Sequence, residues 1–320
     1  QNSPLLMVSL PIGVGLTTTD RIATSKPVQA ETDILATLAQ ISGLHADIAS
    51  NLVKKAQQFL TQSQNIDQIS VHSVTPRIVD TQAPALPIII SQPTTSTISN
   101  MLVIDARELP PGTVIQLDNI AFALIIGAAR IVGGSGQNFV AADDQNQFIV
   151  LGADDDILSG GGGDDTIGSL GGDDQTSGDT GNDTVYGGTD NDVLSGGAGN
   201  DRLNGGLGFD SAIQAGQLSG YQIATQGETV TLTQDNGETD VLTDVELIRF
   251  DSGPTLAIAY SEVEAVAHHL ARTWLERNLT TEEGSAILSW QGVTTDDILL
   301  AFRLLPETVA LELQNKTNDE

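Results

Sequence analysis

The sequence predicts an α+β protein in several parts: a central right-handed parallel β-roll or β-helix, a helical region before it and a small helical domain after it. Three observations predict this. A nine-residue period runs without a gap from Gly133 to Ile213. Apolar residues between Ala30 and Gln62 recur at spacings of three or four, as on one face of a helix. The tail from Ser261 carries pairs of residues that cap helices.

In chain order, the apolar start Leu5 to Leu16 is interrupted by Ser9, Pro11, Gly13 and Gly15. It is too short to span a bilayer and lacks the basic flank of a secretory signal. Its expected use is pairing with a neighbouring subunit as an added strand. Ile34, Leu35, Leu38, Ile41, Leu44, Ile48, Leu52 and Ala56 form the helical stripe, with Gly43 as a point of division. Asn65 to Asn100 is rich in Ser, Thr, Pro and Gln and reads as a connector with short extended pieces such as Leu86 to Ile90. Met101 to Ile104, Val114 to Leu117 and Ile120 to Ile126 read as strands leading into the repeat. The expected parts are 1–100 (start, helix and connector), 101–150 (β-helical entrance), 151–213 (roll), 214–256 (β cap) and 257–320 (helical domain).

In register, the repeat reads GGSGQNFVA from Gly133, then ADDQNQFIV, LGADDDILS, GGGGDDTIG, SLGGDDQTS, GDTGNDTVY, GGTDNDVLS, GGAGNDRLN and GGLGFDSAI. Position six is Asn138, Gln147, Asp156, Asp165, Asp174, Asp183, Asp192, Asp201 and Asp210. Position eight is Val140, Ile149, Leu158, Ile167, Thr176, Val185, Leu194, Leu203 and Ala212. The first six residues of a unit suit a tight turn, where Gly supplies positive φ and close backbone approach. The last three suit a short strand whose middle side chain points inward. With two units to a circuit, the position-eight side chains stack into a thin apolar core that no unit could bury by itself.

Charge decides what can lie in the turns. The chain carries 42 Asp+Glu against 13 Lys+Arg, a formal net charge of −29, which disfavours nucleic acid and anionic membranes and favours cations. Leu151 to Asp210 holds 13 Asp and 18 of the 33 Gly, with Arg202 the sole basic residue. At a strand spacing of about 4.8 Å, stacked carboxylates repel one another unless a counter-ion intervenes. Oxygen-only donors at flexible geometry suit Ca2+ better than Mg2+ or a transition metal. The absence of Cys excludes disulfides and thiolate sites, and 39% apolar residues argue for a folded chain.

Units such as GGAGNDRLN and GGTDNDVLS resemble the GGxGxDxUx repeat of the RTX (haemolysin-type calcium-binding repeat) family. The resemblance implies Ca2+ between turns on one side, shared by the position-six Asp of a unit and of the unit after next, with carbonyls of positions two and four. The implied pairs are Asp156 with Asp174, Asp165 with Asp183, Asp174 with Asp192, Asp183 with Asp201, and Asp192 with Asp210. That amounts to about five ions or more. The implied carbonyl ligands come from Gly161, Gly163, Gly172, Gly181, Gly188, Gly197 and Gly199. Asn138 and Gln147 stand where Asp is the rule, so the first turns are expected to stack without ions. Leu170 and Asp179 stand where Gly is usual at position two, and strained turns are expected there.

After the repeat, Thr239 to Gly253 resembles the segment that closes RTX rolls and is expected to cap the open edge. Ser261 with Glu264, Thr280 with Glu283 and Thr294 with Asp297 resemble capping pairs. They predict helices over 261–279, 281–290, 295–304 and 307–314, similar to a helical domain of bacterial RTX surface proteins. Neighbours on a helix point about 100° apart, so His268 and His269 cannot share a ligand, and Trp274 and Trp290 read as core. There is no zinc helix, nucleophile elbow or phosphate loop, so no enzyme is expected. The expected protein is a secreted bacterial calcium-binding structural protein, extracellular or on the cell surface. It would be a self-associating subunit of a filament or surface layer, folding with Ca2+ after type I secretion. Two other readings stay open at this point: an adhesin or carbohydrate-binding module for a cell-surface glycan, and a non-catalytic accessory part of a secreted hydrolase.

Overall fold

The computed structural model describes residues 6–25, 27–62, 69–78, 84, 86–93, 99–259, 262–274 and 279–284. Over these residues the chain is a parallel β-solenoid whose strands alternate between two sheets of 11 described strands each. One sheet stacks, in order, Met7–Ser9, Ile88–Ser91, Val114–Asp118, Arg130–Gly133, Phe148–Val150, Thr166–Gly168, Thr184–Thr189, Arg202–Leu207, Thr239–Thr243, Thr229–Gln234 and Tyr221–Gln226. The other stacks Val14–Ser25, Ile69–Ile78, Ser99–Asp105, Phe122–Ile126, Phe139–Ala142, Ile157–Gly162, Gln175–Thr180, Val193–Ala198, Ser211–Gln217, Leu247–Ser252 and Leu256–Ala257.

Within the repeat the register follows the two-unit circuit. Ile149, Ile167, Val185 and Leu203 pair in succession on the first sheet. Val140, Leu158, Thr176, Leu194 and Ala212 do so on the second. All nine position-eight side chains are buried, none more than 3% exposed. All but Thr176 belong to one continuous apolar core with Ile90, Leu102, Ile115 and Ile131 before the repeat and Leu242 and Ile248 after it.

The solenoid begins earlier than the sequence reading placed it. Ile69–Ile78 and Ile88–Ser91, within the stretch read as a connector, are rungs that pair in parallel with Ser99–Asp105 and Val114–Asp118. Buried polar residues hid the first of them. The His72 Nε2 atom lies 2.9 Å from Ser70 Oγ and 3.1 Å from Asn100 Oδ1, so three polar side chains satisfy one another inside the stack. The apolar start is also used within the chain. Met7–Ser9 runs antiparallel to Ile88–Ser91, and Val14–Ser25 antiparallel to Ile69–Ile78. A strand added by a neighbour would therefore meet the outer edges of these two strands.

The predicted helix is two helices, α1 (Pro27–Leu38) and α2 (Ala46–Gln62), with Gly43 at φ +75 in the turn between them. They cover the outer face of the second sheet. Ile34, Leu38, Leu52, Ala56 and Phe59 pack against Met101, Phe122, Leu124 and Phe139. The Phe59, Phe122 and Phe139 rings lie 4.8 to 5.6 Å apart, within the range of favourable aromatic pairs. Lys55 of α2 reaches Asp179 of the roll at 2.9 Å.

At the other end, Tyr221–Gln226 and Thr229–Gln234 form an antiparallel hairpin. Thr239–Thr243 and Leu247–Ser252 then return as parallel rungs over Arg202–Leu207 and Ser211–Gln217. The segment expected only to cap the roll thus continues it by one circuit. Helix α3 (Glu262–Trp274) buries Ala267, His268, Leu270 and Ala271, and the His268 ring stacks on Phe209 at 6.0 Å. The expected Thr280–Glu283 capping box is formed, at 2.9 and 3.2 Å. The expected helices at 295–304 and 307–314, Ser261, Trp290 and the side chains of His269 and Trp274 lie outside the described residues.

Candidate metal centre

Each position-six carboxylate uses one oxygen to tie its turn to the turn one circuit earlier. Its Oδ1 accepts the N–H of the earlier position-six residue: Asp156 from Asn138, Asp165 from Gln147 and Asp174 from Asp156, each at 2.7 Å. Asp183 accepts from Asp165, Asp192 from Asp174, Asp201 from Asp183 and Asp210 from Asp192, at 2.8 to 2.9 Å. The other oxygen is left over. Oδ2 of Asp165, Asp174, Asp183, Asp192, Asp201 and Asp210 is buried with no hydrogen-bond partner. An ionised carboxylate in that state is costly unless a cation pairs with it.

The acidities follow. Burial is the largest cause, partly offset by the backbone N–H each group accepts. It pushes Asp156 and Asp183 up to about 6, Asp165 and Asp192 up to about 7, and Asp174 and Asp210 up to about 8. Asp201 is raised for the same reason. Neighbouring carboxylates push further in the same direction: Asp192 acts on Asp174, and Asp201 on Asp183.

Glycine keeps the space open. At position one, a Cβ on Gly160, Gly178 or Gly187 would collide with Oδ2 of its own unit's Asp and with the position-one carbonyl oxygen of the next turn on that side. Carboxylate oxygen and carbonyl oxygen therefore converge there, and these position-one glycines were absent from the sequence-derived ligand set. The glycines in that set, Gly161, Gly163, Gly172, Gly181, Gly188, Gly197 and Gly199, all hold positive φ. The carbonyls of Gly163, Gly181 and Gly188 face the glycine at the same position one circuit later. Of the two replaced position-two glycines, Asp179 sits at φ +74 but Leu170 is not among the positive-φ residues. The strain expected at Leu170 is thus absent. Asp179 tolerates the left-handed conformation and accepts hydrogen bonds from Ser159, Ser177 and Lys55.

The family model for the RTX calcium-binding nonapeptide repeat matches residues 142–175 and 177–212, in four copies. The chain carries an RTX calcium-binding array. No curated protein and no solved structure matches the chain.

The RTX turns fit Ca2+ on their own chemistry. Among the described residues no group of three His, Asp or Glu side chains gathers into a metal site; what the turns bring together is a position-six carboxylate oxygen and a position-one carbonyl oxygen of the next turn. An all-oxygen set with buried, unpartnered carboxylate oxygens is what a hard, geometrically tolerant cation takes.

Three features escaped the sequence reading. Ser169 stands at position one, and its Oγ bonds Gly152 O at 2.9 Å and Asp156 Oδ2 at 3.3 Å. Asp156 is therefore not left unpartnered. Asp143 is buried and held by protein donors, the Gly127 N–H and the Gln147 side-chain amide, at 2.8 and 2.7 Å. Finally, an exposed second ladder occupies position five: Asp164 accepts from Asn182 N, Asn182 from Asn200 N, Asp155 from Asp173 N and Asp173 from Asn191 N, at 2.8 to 3.0 Å. Asn or Asp at that position in every unit from Asn146 to Asn200 was its readable signal.

Proposed function

We propose that the chain is an exported structural protein whose roll is braced by Ca2+, working as a subunit of a bacterial extracellular filament or surface layer. The stacked Oδ2 oxygens carry this reading, with Asp165, Asp174, Asp183, Asp192, Asp201 and Asp210 as the carboxylate ligands. Without a cation these groups oppose the fold. With one, binding energy becomes folding energy. Extracellular calcium modules bind at about 10⁻⁴ to 10⁻³ M, a concentration met outside cells, which supports folding after export. No helix among the described residues is long and apolar enough to cross a membrane.

Assembly is supported by the first rungs. Met7, Leu10 and Ile12 are exposed, Ile12 fully, while Leu6, Val8, Val14 and Leu16 pack against the core. An apolar ridge anchored from behind suits contact with a second copy of the chain. Electron microscopy and sedimentation in millimolar Ca2+ test the reading. Polymers that dissolve on chelation are expected, and a chain that stays monomeric at all Ca2+ levels rules out the assembly role.

A further inference from the structure

The carboxylate ladder does not stop where the nonapeptides stop. Asp201 N–H donates to Asp240 Oδ1 at 3.1 Å and Asp210 N–H to Glu246 Oε2 at 2.6 Å. These are the bonds the repeat makes at 2.7 to 2.9 Å between its own turns. Asp240 and Glu246 are buried, 1% and 4% exposed. Glu246 immediately precedes the rung Leu247–Ser252, and Asp240 immediately precedes Val241, the residue that pairs with Arg202, as the position-six Asp does in the repeat. The backbone repeats the pattern as well, with Val241 N bonding Asp201 O at 2.8 Å and Leu247 N bonding Asp210 O at 3.0 Å.

The turn over Asp210 is a shortened copy. Leu242 pairs with Leu203 and Ile248 with Ala212, so six residues (242 to 248) cover what takes nine (203 to 212) in the repeat. A shorter turn holds its last residue back, and the extra methylene of Glu restores the reach that Asp has elsewhere. Asp244 lies at φ +51, a conformation the repeat mostly assigns to Gly. Its carbonyl oxygen stands against Gly205 together with Asp210 Oδ2, just as the Gly205 carbonyl stands against Gly187 with Asp192 Oδ2. Oδ2 of both Asp201 and Asp210 is buried and unpartnered, on residues 1% and 0% exposed.

We propose that the cap closes two further Ca2+ sites, one with Asp201 and Asp240 and one with Asp210, the Asp244 carbonyl and Glu246, so that metal fastens the hairpin-bearing cap to the roll. The proposal rests on the reading that the RTX turns bind Ca2+, and the ligands it adds, Asp240, Asp244 and Glu246, lie outside the matched repeats. Metal is needed at this junction for a physical reason: the last circuit brings two more acidic side chains onto a ladder whose free oxygens already lack partners.

The test counts bound Ca2+ on the full chain by equilibrium dialysis, at a Ca2+ level that just saturates the unaltered protein. Asp240→Asn and Glu246→Gln keep shape and are the cap variants, with Asp183→Asn as the control within the roll. Each cap variant is expected to bind one ion fewer. Its Val241 or Leu247 amide should exchange with solvent about tenfold faster or more at limiting Ca2+, with the Val193 amide unchanged. A full ion count in both cap variants, alongside a loss in Asp183→Asn, overturns the proposal. No loss in any of the three overturns the reading of the repeat instead. Should a cap variant fail to fold, hydrogen exchange of the unaltered chain decides: cap amides whose protection is indifferent to Ca2+ overturn the proposal, and protection lost on withdrawal supports it.

Discussion

Protons should replace Ca2+ in holding the ion-free roll together. The perturbation is removal of Ca2+ by chelation and desalting, followed by transfer to pH 5 or pH 8. In the folded, ion-free roll, burial raises Asp156, Asp165, Asp174, Asp183, Asp192 and Asp210 to between about 6 and about 8, from an ordinary value of 3.8. A raised carboxylate pKa means the folded state binds more protons than the unfolded state, so stability falls as pH rises from the unfolded value through the folded one. At pH 8 each group opposes folding by roughly 3 kcal/mol or more. Six such groups outweigh the roughly 5 to 15 kcal/mol net stability of a domain. At pH 5 the folded groups stay protonated and the opposition shrinks to roughly half of that or less. Far-ultraviolet circular dichroism and urea unfolding should therefore find the ion-free chain more folded at pH 5 than at pH 8. Adding Ca2+ near pH 7 should release protons, measurable by calorimetry in buffers of different ionisation enthalpy. Equal β content at both pH values, with no proton release, would refute the reasoning.

Three further predictions rest on substitutions. Gly178→Ala places a Cβ against Asp183 Oδ2 and the Gly196 carbonyl; it should cost at least one bound ion, whereas Gly237→Ala, with open space around it, should cost about 1 kcal/mol of stability and no ion. Ser169→Gly removes the hydroxyl that bonds Asp156 Oδ2 and should tighten Ca2+ binding at the Asp156 turn, read as a lower midpoint in a Ca2+ titration. Asp183→Ala should raise the Ca2+ needed for folding more than Asp156→Ala, because Asp183 leaves a free oxygen in the middle of the ladder while Asp156 has a protein donor; equal midpoints would contradict the site assignment.

The repeat made the roll legible because two independent demands meet in it. Position eight is apolar in every unit but the one with Thr176, to fill a one-residue core, and position six is Asp from Asp156 onward, to tie the turns, so both show as a period. Where only one demand applies, the signal fades. Ile69–Ile78 is a rung, yet its inward and outward faces include Ser70, His72 and Thr75, and the pairing of Ser70 and His72 with Asn100 depends on a residue far along the chain. Asp240 and Glu246 were hidden differently. The hairpin inserted between Gln217 and Thr239 breaks the nine-residue spacing, and the shortened turn exchanges Asp for Glu. Position five was visible but unread, because its ladder is exposed and its bonds run from side chain to backbone between turns.

The same comparison explains why the metal-adapted turns lie where they do. In the entrance, Met101–Ile104 and Phe122–Ile126 are buried along their whole length, inward residues in the solenoid core and outward ones beneath α1 and α2. At roughly 25 cal/mol per Å² of apolar surface removed from water, burial on both faces stabilises such rungs more than burial on one. Asn138 there donates to the Ile120 carbonyl, and Asp143 is held by protein donors. From Asp156 onward most rungs bury little apolar surface beyond the single position-eight side chain, and none of the described helices covers the outer faces of the later ones. The apolar cluster beneath the helices ends at Ile157, and the unpartnered carboxylate oxygens begin at Asp165. The helix-covered entrance should therefore keep its hydrogen-exchange protection when Ca2+ is withdrawn, while the later rungs should lose theirs; equal loss along the whole solenoid would contradict this division.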